Sequence, residues 1–225
     1  MRQVFQFMLA LTPLWLAVAQ AQNAADPTVY VVRYIEVTPG SETQAAALVK
    51  KLADASRKEA GATRFEVAER TAPASQFITF EVWKDQAALD AHNGAAHKQF
   101  LDAAQSVLIA PVDDRPCVAI DVMPVQTTAA GAIYAITHVD VAPPNTDAGI
   151  ALLKTVAGPS RKEGGNLAFD ALQQTARKNH FEVVEIWGDQ KAEDAHEIEA
   201  ATKDFRAKVQ PLLGAHYDRR WYQQL

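Results

Sequence analysis

Residues 56–67 read SRKEAGATRFEV, and residues 160–171 read SRKEGGNLAFDA. The same offset of 104 relates residues 80–92, FEVWKDQAALDAH, to residues 184–196, VEIWGDQKAEDAH. Over the 63 positions that begin at Tyr30, 24 residues are identical to the residue 104 positions later, without a gap. A period of about 100 residues is too long for a solenoid repeat and has the size of a whole domain. The 225 residues therefore predict two tandem domains of one fold.

Each half has the same order of predicted elements. The β-branched and aromatic run Val29–Val37 predicts a strand that ends at Pro39-Gly40. Ser41 is the expected N-cap of a helix that Gly61 stops. The first half is completed by strands at Thr63–Arg70, Gln76–Lys84 and Val118–Val122, and by two short helices between Asp85 and about Leu108. This order is the split βαβ arrangement, so the predicted fold class is α+β with two ferredoxin-like domains.

The first strand is apolar on both faces, which indicates burial on both faces. Alternate side chains form two sets, Tyr30, Val32 and Tyr34 on one face and Val31, Ile35 and Val37 on the other. The helices of one half cover only one of these faces, and the duplicated half is the natural cover for the other. We therefore expect the domains to pack sheet to sheet as an intramolecular α+β barrel. Such a pseudo-dimer within one chain is expected to be a monomer in solution.

Composition narrows the class of protein. The fractions of 48% hydrophobic and 22% charged residues are those of an ordinary soluble globular protein. A formal net charge of −5, without a long Lys/Arg run, argues against nucleic acid as a partner. The single cysteine, Cys117, cannot form an internal disulfide or a Cys-rich metal site.

The first residues have the pattern of a cleaved secretory signal. Arg2 precedes an apolar run of about 16 residues, and small-x-small sites then end at Ala19 and Ala21. The run contains Pro13 and is short for a membrane span of about 20 residues. We therefore expect a signal peptide at residues 1–21, domains at 27–124 and 131–225, no stable membrane anchor after cleavage, and a periplasmic or secreted location.

The shared motifs resemble those of the antibiotic biosynthesis monooxygenase (ABM) family, in the dimeric α+β barrel superfamily. The first half carries them as Pro39-Gly40, Glu59-Ala60-Gly61, Glu81-Val82-Trp83, Asp85-Gln86-Ala87 and Ala91-His92, with His97 at the family's second histidine position. The second half departs from the pattern at Pro144 and at Thr202, which replaces the second histidine. The resemblance implies cofactor-independent oxygenation of phenols or quinols, hence no cofactor and a small aromatic or apolar molecule as partner. The alternative is a non-catalytic ligand-binding or structural protein on the same fold.

Four residues are candidate catalytic groups. His92 and its match His196 end a short helix, where an imidazole can deprotonate a phenol near neutral pH or fix the helix end by a hydrogen bond. Tyr34 and its match His138 are polar residues within an apolar strand, which suits either a binding site or a cross-strand partner inside the barrel. Because the first half keeps both His92 and His97, we expect it to carry more activity than the second.

Five residues are candidate substrate contacts: Arg33, Phe65, Trp83, His97 and Trp187. Trp83 and Trp187 each end a strand in their own half. There each indole forms either a stacking wall for a planar substrate or part of the core. A closed apolar cavity with His92 or Tyr34 pointing into it favours an enzyme. A core filled by Trp83 and Phe65 favours the non-catalytic alternative.

Glu81 and Glu185 lie on the same strand faces as Trp83 and Trp187. A carboxylate on a largely apolar strand needs a partner. Arg57 is the candidate partner of Glu81, and Arg161 is the candidate partner of Glu185.

No metal or haem site is predicted. His92 and His97 are five residues apart, which is neither the i+3 nor the i+4 spacing that places two ligands on one helical face. Haem-degrading relatives use an asparagine on the first strand and a histidine on a later helix. In this sequence Arg33 and Thr137 stand at the position of that asparagine in the two halves, and Asp102 stands near the position of the histidine.

Overall fold

The computed structural model describes residues 26–124 and 131–225. The predicted signal peptide at residues 1–21 lies outside the described residues, as do residues 125–130 between the two predicted domains. Within the described ranges, no helix is long and apolar enough to cross a bilayer.

In the described ranges, eight strands and six α-helices form two copies of the predicted order. In the first half they are β1 (Val29–Glu36), α1 (Glu42–Ser56), β2 (Ala62–Arg70), β3 (Gln76–Trp83), α2 (Gln86–Gly94), α3 (Ala96–Ala104) and β4 (Asp113–Asp121). In the second half they are β5 (Ile133–Asp140), α4 (Thr146–Ser160), β6 (Asn166–Gln174), β7 (His180–Trp187), α5 (Gln190–Ile198), α6 (Ala200–Val209) and β8 (Asp218–Gln224).

The eight strands close into one antiparallel barrel in the order β1-β3-β2-β8-β5-β7-β6-β4. Two seams join the halves. Strand β8 pairs with β2 across one seam, and β4 pairs with β6 across the other. Closure removes the open edges that each four-stranded sheet would otherwise expose. The predicted fold class and the intramolecular barrel are therefore confirmed.

The two faces of β1 are buried as predicted. Tyr30, Val32 and Tyr34 lie in the cluster inside the barrel, and Val31, Ile35 and Val37 lie in the cluster beneath the helices. A third cluster fills the matching helix–sheet layer of the second half. The molecule thus has a barrel interior between two helix–sheet layers.

Two local predictions need correction. The last strand of the first half begins at Asp113, five residues before the predicted Val118, because its charged first residues pair with side chains of other strands. Ser41 does occupy the N-cap position of α1, but its side chain makes no capping hydrogen bond. The Glu42 carboxylate instead accepts a hydrogen bond from the Gly40 N–H at 3.0 Å.

Candidate functional site

His92 lies at the end of α2 in the helix–sheet layer and is 1% exposed. The helix is capped by Asp85, whose side chain accepts the Ala88 N–H at 2.8 Å. The His92 Nδ1 lies 2.6 Å from Oε2 of Glu59, in the turn after α1. That turn approaches α2 so closely that a Cβ on Gly61, at φ +90°, would lie 2.7 Å from the Ala88 Cβ. Glycine there permits the contact that brings the carboxylate to the imidazole.

The Glu59 carboxylate fixes the tautomer of His92. A carboxylate accepts, so Nδ1 carries a proton, and in its neutral form the ring has its lone pair on Nε2. Nε2 has no hydrogen-bond partner among the described residues and lies 3.6 Å from the nearest Glu81 oxygen. The ring stacks on Trp83 with centroids 4.6 Å apart, and Phe65 meets its edge at 5.7 Å. This is the arrangement of an oriented base in a dry environment.

Arg33, not Arg57, is the partner of Glu81. The Arg33 Nε donates to Glu81 Oε1 at 2.8 Å, and both side chains are at most 2% exposed. The predicted partner Arg57 donates instead to the Phe65 carbonyl at 3.0 Å. The same carboxylate also accepts from Thr79 Oγ1 and Trp83 Nε1. The charge of Glu81 is therefore paired with an arginine on the adjacent strand β1, whereas the predicted partner lies at the end of α1.

His97 is a neutral imidazole that accepts a hydrogen bond from this ion pair. Its Nε2 lies 2.9 Å from Nη1 of Arg33, and a guanidinium only donates, so Nε2 accepts. Burial, together with the Arg33 charge, lowers the pKa of His97 to about 4. The proton therefore sits on Nδ1, which is buried without a hydrogen-bond partner in the described part of the chain. The His97 and His92 ring centroids are 5.8 Å apart.

The second half repeats the site with both nitrogens of its histidine engaged. His196 Nδ1 lies 2.9 Å from Glu163, and Nε2 lies 3.2 Å from Glu185. Trp187 packs on the ring at 4.6 Å, as Trp83 does in the first half. Thr202 stands where the first half has His97, 3.3 Å from the His196 ring nitrogens. This copy therefore lacks both the free acceptor and the second histidine.

The guanidinium of the second site comes from β8, the neighbour of β5, and not from β5 itself, which is the match of β1. Arg33 on β1 faces Asp114 on β4 across the sheet, whereas the matched pair is Thr137 on β5 and Arg219 on β8. Arg219 Nη2 donates to Glu185 Oε2 at 3.1 Å. The predicted partner Arg161 binds elsewhere, to the Phe169 carbonyl and Asp121. The cation has changed strands between the copies while its carboxylate partner has kept its position.

Tyr34 and His138 lie on the opposite face of the sheet, inside the barrel. The Tyr34 hydroxyl donates to Glu182 Oε2 at 2.9 Å, and His138 Nδ1 lies 2.9 Å from Oε1 of the same residue. Burial by itself would raise the pKa of Glu182, but the His138 hydrogen bond and the Arg115 charge bring it below its ordinary value. Burial and the Glu182 charge raise the pKa of Tyr34 well above its usual value, so it is a neutral donor. The structure thus separates these two residues from His92 and His196.

The space beside the helix–sheet site of the second half is small. The cavity beside His196 has a volume of about 10 Å³, which is room for about one water molecule. At His92, Phe65 and Trp83 both pack against the imidazole and meet each other edge to face. A larger pocket of about 230 Å³ opens at an end of the barrel, lined by Tyr34, Glu36, Ala110, Pro111, Asp113, Arg115 and Arg220.

Sequence reasoning assigned no role to several residues that complete these sites. Glu59 and Glu163 occupy matching positions in the two copies, three residues after the end of a helix. The presence of the same residue in both copies was the sequence signal that could have identified them. Arg219 gave no such signal, because its match in the first half is an aspartate, Asp114. Glu182 likewise matches Ile78, an apolar residue.

Comparison with known proteins places the chain in a family. A model of the family "Antibiotic biosynthesis monooxygenase" matches residues 28–104 and again residues 132–208. A Bacillus subtilis (strain 168) protein named "Putative monooxygenase YcnE" is 33% identical over 81 residues, which is 36% of this chain and 85% of that protein.

Solved structures agree in fold. A Fusobacterium nucleatum protein described as a putative monooxygenase superposes with a TM-score of 0.78 at 18% identity, covering 90% of this chain and 94% of its own. An anthrone oxidase-like protein gives a TM-score of 0.69 at 14% identity, covering 89% and 92%. The chain therefore belongs to the antibiotic biosynthesis monooxygenase family, whose domain it carries twice in tandem.

Proposed function

We propose that the first half is a cofactor-independent monooxygenase of small phenols or quinols, with His92 as the base. One observation carries the proposal. His92 Nε2 is a buried acceptor and His97 Nδ1–H a buried donor, both without partners among the described residues, on rings 5.8 Å apart. A phenolic hydroxyl can donate to the first and accept from the second.

The chemistry needs only binding, orientation and deprotonation by the protein. His92 Nε2 takes the phenolic proton, and the Glu59 carboxylate behind Nδ1 stabilises the imidazolium that forms. The His97 N–H then faces the phenolate oxygen. The phenolate reduces oxygen: a phenol and O₂ give a 1,4-quinone and water. One oxygen atom enters the ring and the other leaves as water, so all four electrons come from the substrate.

Access to His92 requires movement of the helix layer. Trp83 and Phe65 close the inner side of the site, and α3 carries His97 on the outer side. A cavity of about 50 Å³ between α1 and α3 is lined by residues that include Leu52, Ala96 and Phe100. We infer that substrate enters here, next to His97, by displacing α3 from α1.

Oxygen uptake by the purified protein, screened against phenols and quinols, is the test. For any substrate found, His92→Ala should lower the rate by about 10²–10⁴ at near-native thermal stability, the usual contribution of a general base. His196→Ala is the matched control and should cause a small loss, because both nitrogens of that ring are already engaged. Equal small losses, or losses that follow unfolding, would make both histidines structural.

The second candidate function is a non-catalytic ligand-binding or structural protein. The observation that favours it is the packing of Trp83 and Phe65 against His92. In that case no phenol or quinol would support oxygen uptake. Quenching of tryptophan fluorescence by a small aromatic, without turnover, would identify a binding protein.

We also propose that the protein is exported and acts as a monomer in the periplasm or outside the cell. The signal-like residues 1–21 support export, and closure of the barrel within one chain supports the monomer. Cell fractionation with mass measurement of the mature chain tests the first, and light scattering tests the second. An unprocessed cytoplasmic chain or a stable dimer would contradict them.

A further inference from the structure

We propose that the second half carries a binding site for a borderline divalent metal ion, Zn²⁺ or one of similar preference, formed by His138, Asp140 and His180. These residues offer three ligand atoms within 4.8 Å of one another. They lie on adjacent strands, β5 and β7, where Asp140 is directly opposite His180. All three are partly exposed, so an ion from solvent can reach them.

The hydrogen-bond pattern of the two histidines calls for a cation. His138 Nδ1 is 2.9 Å from the fully buried Glu182 carboxylate, which only accepts, so a neutral His138 has its lone pair on Nε2. That lone pair faces His180 Nδ1 at 3.2 Å. The other nitrogen of His180 faces the Asp140 carboxylate at 3.4 Å.

While both rings are neutral, His180 therefore cannot satisfy both of its neighbours. It has one proton and meets an acceptor at each nitrogen, His138 Nε2 on one side and Asp140 Oδ2 on the other. Wherever the proton sits, the remaining contact joins a lone pair to a lone pair. Either a second proton on one of the two histidines or a metal ion between the ligands removes that conflict.

The distances suit the metal ion. Two imidazole nitrogens bound to zinc at about 2.0–2.1 Å with near-tetrahedral angles lie about 3.3 Å apart. The observed separation of His138 Nε2 from His180 Nδ1 is 3.2 Å. Asp140 must move toward the ion to become the third ligand, because its 3.4 Å contact is with the other nitrogen of His180. In the described residues its only ion-pair contact is His180, so its charge is available to a cation.

Glu182 supplies the support that metal-binding histidines commonly have. A carboxylate behind the ring fixes the tautomer and orientation of a ligating imidazole. Glu182 is held by Arg115, Gln174 and Tyr34, which lie 2.8–2.9 Å from its oxygens, so its position does not depend on a bound ion. His138 is therefore oriented before a metal arrives.

The first half lacks this site at the matched positions. Tyr34, Glu36 and Gln76 stand where the second half has His138, Asp140 and His180. The Gln76 amide donates to Glu36 at 2.7 Å, so the pair is already satisfied without a cation. Two imidazoles and one carboxylate favour Zn²⁺ over Mg²⁺ and Ca²⁺, which prefer all-oxygen sites.

Calorimetric titration of the full, untagged protein with Zn²⁺ tests the proposal. We expect one equivalent to bind, and Co²⁺ to give the absorption of a nitrogen-ligated ion. His180→Gln and His138→Tyr, which install the residues of the first half, should each weaken binding at least tenfold. The matched control is His216→Gln, at an exposed histidine outside the cluster, and it should leave the affinity unchanged. Mg²⁺ should not compete.

Circular dichroism and thermal melting verify that each variant folds. If a histidine variant does not fold, Asp140→Asn decides, since an amide can still accept the Asn179 hydrogen bond at Oδ1. Unchanged Zn²⁺ affinity in the cluster variants would overturn the proposal. So would the absence of binding at 100 μM Zn²⁺, which would leave a second proton on His138 or His180 as the explanation of the contact between the two rings.

Discussion

Replacing Arg219 by methionine should destabilise the protein severely, because it leaves Glu185 buried without its cation. The two side chains are 5% and 3% exposed. Removing one partner of a buried ion pair costs about 3–5 kcal/mol. For a domain of this size, 1 kcal/mol corresponds to about 2–4 °C in melting temperature. The expected decrease is therefore about 6–20 °C.

The arginine lies on different strands in the two halves, and this difference allows a rescue experiment. In a Glu193→Leu background, which installs the first half's leucine at the other buried carboxylate that pairs with Arg219, Thr137→Arg combined with Arg219→Asp reproduces the Arg33–Asp114 arrangement, since the two pairs hold matching cross-strand positions. Urea unfolding followed by tryptophan fluorescence should show that the double variant recovers more than half of the lost free energy.

The control is Lys98→Met, which breaks an exposed i,i+4 pair with Asp102 at 2.7 Å. Such a pair contributes about 0.5 kcal/mol or less. A loss below 1 kcal/mol in Arg219→Met, or no recovery in the double variant, would refute the requirement for a guanidinium at this carboxylate.

Three further outcomes are expected. Residues 25–126 expressed alone should aggregate or dimerise in light scattering, because both seam strands and the apolar inner face would lose their partners; a stable soluble monomer would contradict the barrel. His97 has a pKa of about 4, depressed from 6.5, so above pH 6.5 it contributes up to about 3 kcal/mol to the free energy of unfolding, and this contribution is lost as pH falls toward 4. Urea midpoints measured from pH 7.5 to 4.5 should therefore fall more steeply for the native protein than for His97→Gln. Gly165→Ala should cost about 2–5 kcal/mol, since the new Cβ is strained at φ +84° and lies 2.5 Å from the Ala192 Cβ. Gly40→Ala, also at positive φ but with open space around it, should cost about 1–2 kcal/mol by thermal melting, and equal losses would show that crowding is unimportant.

Much of the fold could be predicted from the sequence, because its signals are local or repeated. The gapless offset of 104 fixed two copies of one domain, and the period-2 pattern of β1 showed that both faces are buried. From these two facts the sheet-to-sheet barrel followed. The start of β4 was missed because its first residues are charged, and their partners, Arg33 and Glu182, belong to distant strands.

The sites could be predicted only in part. Residue types and spacing singled out His92, His97 and Trp83, since each is near a helix or strand end in a repeated motif. The sequence by itself could not place Tyr34 and His138 on the other side of the sheet from these groups.

Nor could the sequence show which arginine reaches which carboxylate. Thr137 and Arg219 are 82 residues apart and become neighbours only through the pairing of β5 with β8. His138 and His180 likewise meet only through the register of β5 with β7. Composition and periodicity report the environment of one residue at a time. A charge pair or a ligand set depends on strand register and barrel closure, and those are decided by the tertiary structure.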